Sequence, residues 1–329
     1  MEFKDFTAGL NDEDRRLDRV LRKFLQDKSL SEIYKLLRKG LIKVNHIKAK
    51  PENHIHSGDI ISIAAFLLNS NVSSQASAEN KKIESADLQI VFENQHLLII
   101  NKPYDKTVHG EKDGLYKDVL EYYKNLPMAK DSLSFKPGPL HRLDRRTTGL
   151  LVFSKSLEGA RWFSDAIKKH IISKKYYALL TGNLIENCKW QDYITENGND
   201  DSAFNTVKAT TEPADNSLLA LSYVNPLAHG LFKGSSVTLA EFDIKTGRKH
   251  QIRSQSALHK HVLLGDTAYG AAALGKDASN PGGREFYLQA YSLSFPKDNP
   301  LGLPENIKIG LSPDFLCQLQ YCEIENPGL

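Results

Sequence analysis

The chain has little cysteine and no long apolar run. The three cysteines are scattered without the paired spacing of a metal site, so we expect free thiols in a reducing cytosol. The longest apolar run, residues 60–68, has nine residues and includes Ser62, whereas a membrane span needs about 18. The N-terminus has neither the apolar core nor the cleavage pattern of a signal peptide. We therefore expect a cytoplasmic protein without a membrane association.

Several common catalytic motifs are also missing. No GxGxxG follows a strand, and there is no Walker loop and no HExxH, which argues against dinucleotide, P-loop and zinc-protease chemistry. The histidines never fall at metal-ligand spacing from a cysteine. We therefore predict no metal site.

Basic charge is concentrated in one segment. Residues 15–50 hold twelve Lys or Arg against three Asp or Glu, a net +9, while the whole chain carries +3 and its remainder −6. Such a segment indicates a polyanion-binding module, and a solvated face without a partner is the alternative. The candidate phosphate contacts are Arg15, Arg16, Arg19, Arg22, Lys23, Arg38, Lys39 and Lys43.

This basic segment reads as a small helix–helix–hairpin unit. Apolar residues recur with the 3.6-residue helical period over 17–25. Ser29 and Glu32 have the spacing of a capping box for a second helix, and Gly40 suits the left-handed position that ends it. Strands are predicted over 41–44 and 60–63, and we expect the basic residues through Lys39 to lie on the two helices.

The best domain boundary is a polar segment rich in Ser, Asn, Ala, Glu and Lys. Residues 69–88 are predicted to be a flexible linker because they could bury little apolar surface. We predict a small basic domain over 1–68, with its core at about 14–64, and a larger second domain over 89–329. The fold class is α+β: a strand-rich, mixed and mostly antiparallel sheet with flanking helices after a small α/β-hairpin domain. A strand at 262–264 is among those predicted.

Three short motifs remain as chemical candidates. Asp144 follows Arg142 and precedes Arg145 and Arg146 in HRLDRRTTG, just before an apolar run. The others are the basic turn TGRKHQIR and the motif KKYYA. An Arg–Asp pair is usually surface decoration worth under ~1 kcal/mol, so local sequence alone leaves the role of Asp144 open.

These motifs resemble those of the RluA-type RNA pseudouridine synthases. HRLDRRTTG is similar to the family signature, and TGRKHQIR, LLGDTAYG, KKYYA and LLIINKP resemble family blocks in the same order. The basic N-terminal segment resembles the alpha-L RNA-binding domain, named after a small-subunit ribosomal protein. Together the resemblance covers about 14–64 and 89–296.

The resemblance implies an RNA uridine-to-pseudouridine isomerase that uses no cofactor. It implies that Asp144 is the catalytic aspartate, that Tyr176 stacks on the extruded uracil and assists proton removal at carbon 5, and that Arg253 pairs with Asp144. Arg142 would occupy the space left by the flipped nucleotide. Further RNA contacts are predicted at His141, Arg248 and Lys102. Asp266 is interpreted as a turn residue.

The chemistry is consistent with these residues. The target base must leave its stack at a cost of a few kcal/mol, and its glycosidic bond must then break and re-form through carbon. An arginine-rich environment favours the ionised carboxylate that this reaction needs. The sequence leaves open whether Asp144 attacks the sugar or removes the 2′ proton.

Large-subunit ribosomal RNA is the expected substrate of a monomeric enzyme, and transfer RNA is the alternative. A second hypothesis is a non-catalytic RNA-binding factor in ribosome assembly. A third is a glycosidase, which normally needs two carboxylates at a defined separation; the motifs contain no second acid apart from Asp266.

Overall fold

The computed structural model describes residues 1–68, 88–109, 114–127, 132–196, 206–275, 279–280 and 282–325. The predicted linker therefore lies outside the described residues except for Leu88. The described chain forms two compact units. The first comprises Met1–Leu88, Lys117–Gly138 and Ser154–Ala160, and the second comprises Gln89–Tyr116, Pro139–Phe153 and Arg161–Leu329.

The N-terminal part contains two helices and several short strands. In chain order they are β1 (Phe3–Thr7), β2 (Arg15–Arg16), α1 (Leu17–Phe24), α2 (Leu30–Arg38), β3 (Ile42–Val44), β4 (Ile47–Lys48), β5 (His54–Ile55) and β6 (Ile60–Ala64). A sheet forms in the order β1-β6-β3-β4, and β2 pairs with β5. Leu17, Leu21, Ile33 and Ile61 are among the buried residues that pack the helices on this sheet.

The local signals for α2 act as predicted. The Glu32 amide donates to the Ser29 hydroxyl, and the Glu32 carboxylate accepts from the Ser29 amide, which satisfies two backbone groups that the helix leaves unpaired. Gly40 has a φ of +71°, and the Leu41 amide donates to Leu36 to close the helix end. The turn at Asn45 and His46 also has positive φ at both residues, as a two-residue hairpin requires.

Arg15 and Arg16 depart from their predicted place on a helix. They form β2, which pairs with His54–Ile55, and α1 begins only at Leu17. The first strand of the chain, β1, has no counterpart among the predicted strands, although it pairs with β6 along its whole length.

A buried carboxylate organises the first unit. Asp12 is fully buried and accepts hydrogen bonds from the amides of Gly9, Leu133 and Ser134 at 3.1, 2.8 and 3.1 Å. It also accepts from the hydroxyls of Ser132 and Ser134. A buried charge needs this many donors to offset its lost hydration. Residues 132–134 are thereby joined to the N-terminal part of the chain.

The remaining elements build a long mixed sheet and its helices. They are β7 (Ile90–Glu93), β8 (Leu97–Lys102), α3 (Leu115–Lys124), β9 (Thr148–Ser154), α4 (Leu157–Lys168), β10 (Ser173–Thr181), β11 (Cys188–Glu196), β12 (Val207–Thr210), β13 (Leu218–Phe232), β14 (Ser235–Ile244), α5 (Gln251–Leu258), β15 (Leu288–Ser294), β16 (Asn306–Lys308) and α6 (Pro313–Tyr321). In the described residues the sheet order is β12-β11-β13-β14-β10-β15-β9-β8-β7, with β16 beside β15.

The predicted fold class is confirmed. β9 runs parallel to β15, while β10, β11, β13 and β14 pair antiparallel with their neighbours. Buried residues of β8, β9 and α4, including Leu97, Leu150 and Phe163, form one core of the second unit. The strand predicted at 262–264 is wrong: only an isolated bridge joins Leu263 to Leu180.

Two smaller expectations can also be compared with the structure. All three cysteines are free thiols, as predicted. None of the helices in the described ranges is long and apolar enough to cross a bilayer.

Candidate active site

A cavity of about 480 Å³ lies in the second unit. Four stretches supply most of its lining: the loop at 140–147 before β9, residues 167–172 at and after the end of α4, the start of β10, and the turn at 244–253 that enters α5. Asp144, Tyr176 and Arg253, which are far apart in sequence, all contribute to its wall. The three predicted catalytic residues are therefore brought together.

The Asp144 loop is held by the strand that follows it. The Thr147 amide donates to the Asp144 carbonyl at 3.0 Å, which closes a tight turn directly after the carboxylate. Gly149 then has a φ of +109°, and a Cβ there would lie 2.0 Å from the Ala290 carbonyl oxygen. Only glycine allows β9 to start this close to β15. The apolar run 150–153 is completely buried, so the loop starts from a rigid strand.

Lys102 also holds this loop, which corrects its prediction as an RNA contact. The side chain is fully buried, and its ammonium donates to the carbonyls of Pro103, Lys106 and Arg145 at 2.9, 2.7 and 2.8 Å. Burial lowers the pKa of Lys102 to about 7, although Asp144 opposes this shift. All three N–H groups are used inside the protein, so Lys102 supports the Asp144 loop from beneath.

His141 has a similar supporting place at the cavity wall. Its Nε2 accepts a hydrogen bond from the Val152 amide at 3.2 Å, and its ring stacks on Phe163. Burial lowers the pKa of His141 to about 3, and Lys174 contributes to that shift. The ring is therefore neutral, and the nitrogen that accepts from Val152 is unavailable to RNA.

Arg253 makes its strongest contacts with Asp266. Its Nε and Nη2 donate to the two carboxylate oxygens of Asp266 at 2.6 and 2.8 Å. Its Nη1 lies 3.9 Å from Asp144 Oδ2, an ion-pair distance that is too long for a hydrogen bond. Burial lowers the pKa of Arg253, but the hydrogen bonds and charge of Asp266 outweigh it, and the net shift is upward.

Asp266 lies in a turn, as predicted, where its amide donates to the Leu263 carbonyl at 3.0 Å, but its side chain also has a second role. The side chain is buried and forms a two-oxygen clamp on the guanidinium that faces Asp144. The guanidinium also lies over the rings of Tyr269 and Phe286, with distances of 5.0 and 4.6 Å to the ring centroids. Asp266 and these rings thus set the position of Arg253 beside Asp144.

His250 occupies the remaining side of the carboxylate. It has a φ of +50° at the N-terminus of α5, and its Nε2 lies 3.9 Å from Asp144 Oδ1. Its Nδ1 is 3.0 Å from the Tyr269 hydroxyl, and its Nε2 is 3.3 Å from Arg253 Nη1. Burial lowers the pKa of His250 despite the nearby Asp144. A neutral ring that accepts from Arg253 fits this network.

Tyr176 lies on β10 and is buried. Burial raises the pKa of Tyr176, and the negative charge of Asp144 adds to that shift. The residue therefore presents a neutral phenol to the cavity. An aromatic ring there can stack on a base without fixing its rotation.

The two predicted RNA contacts Arg142 and Arg248 differ in how far other parts of the protein hold their side chains. Arg142 is exposed and lines the cavity. Arg248 is half-buried and lines it as well, but its Nε donates to the Leu219 carbonyl at 3.0 Å. Both remain predicted RNA contacts.

The eight basic residues predicted as RNA contacts in the N-terminal part fall into two groups. The exposed ones are Arg19, Arg22, Lys23, Arg38 and Lys39. The half-buried ones are held internally: Arg15 donates to Ser134 at 2.7 Å, Arg16 pairs with Asp18 at 2.7 Å, and Lys43 lies over the Phe3 ring. The structure thus favours the first group as phosphate contacts.

Two family models match the chain in the regions just described. The model for RNA pseudouridylate synthase matches residues 96–258, which include Asp144, Tyr176 and Arg253. The model for the S4 domain matches residues 15–61. The chain belongs to the RNA pseudouridylate synthases. It therefore isomerises uridine to pseudouridine in RNA, and it carries an RNA-binding S4 domain at its N-terminus.

Curated relatives of the synthase match it over most of its length. A protein named ribosomal large subunit pseudouridine synthase C from Vibrio cholerae is 28% identical over 85% of each chain. Its namesake from Haemophilus influenzae is 28% identical over 89% of this chain and 87% of the relative.

Solved structures support the fold of the synthase. The human RNA pseudouridylate synthase domain containing 4 has a TM-score of 0.56 at 22% identity and covers 72% of this chain and 93% of its own. The human RNA pseudouridylate synthase domain containing 1 has a TM-score of 0.51 at 24% identity, with coverage of 71% and 95%. At these identities the likeness concerns the fold alone.

Proposed function

We propose that the synthase acts on uridines of large-subunit ribosomal RNA. The supporting observation is that its curated relatives carry that name and align over 85 to 89% of this chain. A target in transfer RNA would be the alternative outcome of the experiment below. We also propose that the protein works in the cytoplasm and that it is a monomer. Light scattering of the purified chain would test the monomeric state.

In this proposal residues 1–68 bind RNA broadly and residues 89–329 carry the chemistry, as the sequence predicts. The exposed cations from Arg19 to Lys39 would hold phosphates without reading sequence. Arg142, exposed at the cavity mouth, would fill the space left in the RNA by the flipped nucleotide. The flipped uridine would then enter the cavity beside Asp144.

We assign the catalytic carboxylate to Asp144. Arg253 and His250 flank it at 3.9 Å, and neither uses a close hydrogen bond that would occupy the carboxylate oxygens. The oxygens are therefore available to the sugar of the substrate. The guanidinium charge stabilises the ionised form when RNA covers the cavity and excludes water.

Tyr176 is proposed to stack on the detached uracil. The upward shift in its pKa keeps the phenol neutral, which favours this stacking role over the proton-removal role that the family resemblance suggests. Stacking retains the base while it turns from its nitrogen to its carbon linkage.

Mapping pseudouridines in cells that lack the gene tests the target. We expect one or more sites in large-subunit RNA to disappear and to return with the wild-type gene. Asp144→Asn should not restore them, whereas Asp215→Asn, which changes an exposed carboxylate in a turn, should. Loss of sites in transfer RNA alone would replace the ribosomal target, and restoration by Asp144→Asn would remove Asp144 from the chemistry.

A further inference from the structure

One buried cation that lines the cavity, Lys174, has no role in the proposed function. Lys174 lies on β10, two residues before Tyr176, and lines the same cavity. Its side chain is buried, with the residue only 6% exposed. In the part of the chain that the structure describes, its ammonium has neither a hydrogen bond nor a carboxylate partner.

The surroundings of this ammonium are cationic. Arg248 is the charge that acts on Lys174, and Lys174 in turn disfavours a charge on His141. Asp144 influences Tyr176, His250 and Lys102 but is not among the charges that act on Lys174. We use the name cationic end for the part of the cavity wall formed by Lys174 and Arg248.

The cavity wall as a whole is also cationic. Seven of its residues are Lys or Arg and one is an acid, Asp144. A buried ammonium without a partner costs free energy, and proteins retain such groups mainly where they bind a ligand. An anion is the ligand that would offset this cost.

Gly247 leaves the space that Lys174 occupies. A Cβ at Gly247 would lie 3.1 Å from the Lys174 ammonium, closer than an ordinary van der Waals contact. The turn thus brings its backbone directly against the ammonium, and the next residue in that turn is Arg248. Lys174 and Arg248 are therefore placed as a pair at one end of the cavity.

We propose that Lys174 and Arg248 form a phosphate site inside the cavity, which binds the backbone phosphate of the flipped uridine. The base and sugar would lie toward Tyr176 and Asp144 while the phosphate lies at the cationic end. A phosphate there supplies the negative charge that the buried ammonium lacks, through charge-assisted hydrogen bonds. The inference rests on the assignment of this cavity as the active site.

A matched pair of variants tests the site. Lys174→Met removes the buried charge, whereas Lys175→Met removes the neighbouring charge, which pairs with Glu241 at 2.9 Å and does not line the cavity. Tritium release from large-subunit RNA should fall at least about 30-fold in kcat/KM for Lys174→Met and change less than about threefold for Lys175→Met. Gly247→Ala, which keeps the charge but displaces it, should give an intermediate loss.

Direct binding distinguishes a phosphate site from a structural role. Uridine 5′-monophosphate should raise the melting temperature of the wild-type protein more than uridine at equal concentration, and Lys174→Met should abolish that difference. Lys174→Met should itself melt no lower than wild type, because it removes an unpaired buried charge. Equal shifts by uridine and its monophosphate in wild type, or a retained difference in Lys174→Met, would overturn the phosphate site.

The binding measurement does not depend on which RNA is the substrate. If large-subunit RNA is not the substrate, wild-type protein will release no tritium from it, while the comparison of uridine with its monophosphate will still report on the cavity. Should Lys174→Met fail to fold, the wild-type comparison and Gly247→Ala decide the question, and an unchanged nucleotide preference in Gly247→Ala would contradict the site.

Discussion

Arg253 gives two of its nitrogens to Asp266 at hydrogen-bond distance and only one, at 3.9 Å, to Asp144. The tight pair therefore holds Arg253 in position, and the loose pair faces the carboxylate that we propose to be catalytic. This division keeps the guanidinium in place without committing the oxygens of Asp144. Asp266 acts on the proposed catalytic carboxylate through Arg253.

Replacing Asp266 should consequently affect catalysis indirectly, through the position of Arg253. Asp266→Asn exchanges one accepting oxygen for an amide that meets a guanidinium N–H. We expect kcat to fall by about 10- to 100-fold with KM changed less than about threefold, and unfolding in urea to show a loss of about 3 kcal/mol, as for other broken buried pairs. Asp18→Asn is the control, because the buried Asp18 accepts from the Nε and Nη2 of Arg16 in the first unit, whose residues do not line the cavity. It should lose stability but retain kcat, and equal kcat values for the two variants would exclude the positioning role.

Gly149 supplies a prediction about the strand that carries the Asp144 loop. Gly149→Ala places a Cβ at a position with positive φ, which costs about 1–2 kcal/mol, and that Cβ also clashes with the Ala290 carbonyl. We expect the free energy of unfolding to fall by about 4 kcal/mol or more. Gly234→Ala has a φ of +76° but open space around its Cβ, so it should lose only the conformational part. Similar losses for both would show that β9 and β15 separate easily.

The exposed cations of the S4 domain should control the salt dependence of RNA binding. In Arg22→Gln/Lys23→Gln we expect the slope of log affinity against log salt to become shallower by roughly 0.7 to 0.9 for each phosphate that the protein no longer neutralises. Lys297→Gln/Lys308→Gln removes two exposed charges of the second unit and should leave the slope unchanged. Point variants are preferable to deletion of residues 1–68, which would strip the hydrogen bonds of Asp12 from residues 132–134. An unchanged slope in the first double variant would place the phosphate contacts elsewhere.

Lys174 also predicts a pH dependence of stability. Burial, with Arg248 contributing, lowers the pKa of Lys174 from 10.5 to about 8. Below pH 8 the charge on Lys174 therefore lowers the free energy of unfolding by its full amount, roughly 3 kcal/mol. Between pH 8 and 10.5 the unfolded chain binds more protons, so this penalty fades as pH rises. Lys174→Met should exceed wild type in stability by the full amount at pH 7, and the gap should close by about pH 10.5.

Urea unfolding across that pH range provides the measurement. Arg248 and His141 couple electrostatically to Lys174, and Lys168, His170 and Lys245 line the same cavity. Between pH 7 and 10.5 Arg248 stays charged and His141 stays neutral with or without Lys174, so neither adds a pH-dependent difference. A constant stability difference from pH 7 to 10.5 would mean that Lys174 titrates normally.

Short-range signals account for the features that follow from sequence without a structure. The capping pair Ser29 and Glu32 and the helix-ending Gly40 act within a few residues, so α2 follows from them directly. Asp144, Tyr176 and Arg253 were singled out by the resemblance of their motifs, in the same order, to those of a known family, although the residues meet only in the fold. Leu263 shows the limit: its apolar neighbours suggest a strand, but just one bridge forms.

Local patterns were thus enough for the α2 caps and the strand-rich α+β class, whereas the candidate catalytic residues came from the resemblance of the motifs to a known family. Long-range packing was needed to show that Asp266 rather than Asp144 binds Arg253 closely, that Lys102 is buried beneath a loop, and that Lys174 is a buried cation without a partner among the described residues. The physical reason is that hydrogen-bond partners and burial depend on chain segments that meet from distant positions. A lysine in a sequence motif looks the same whether it faces water, three carbonyls or a cavity.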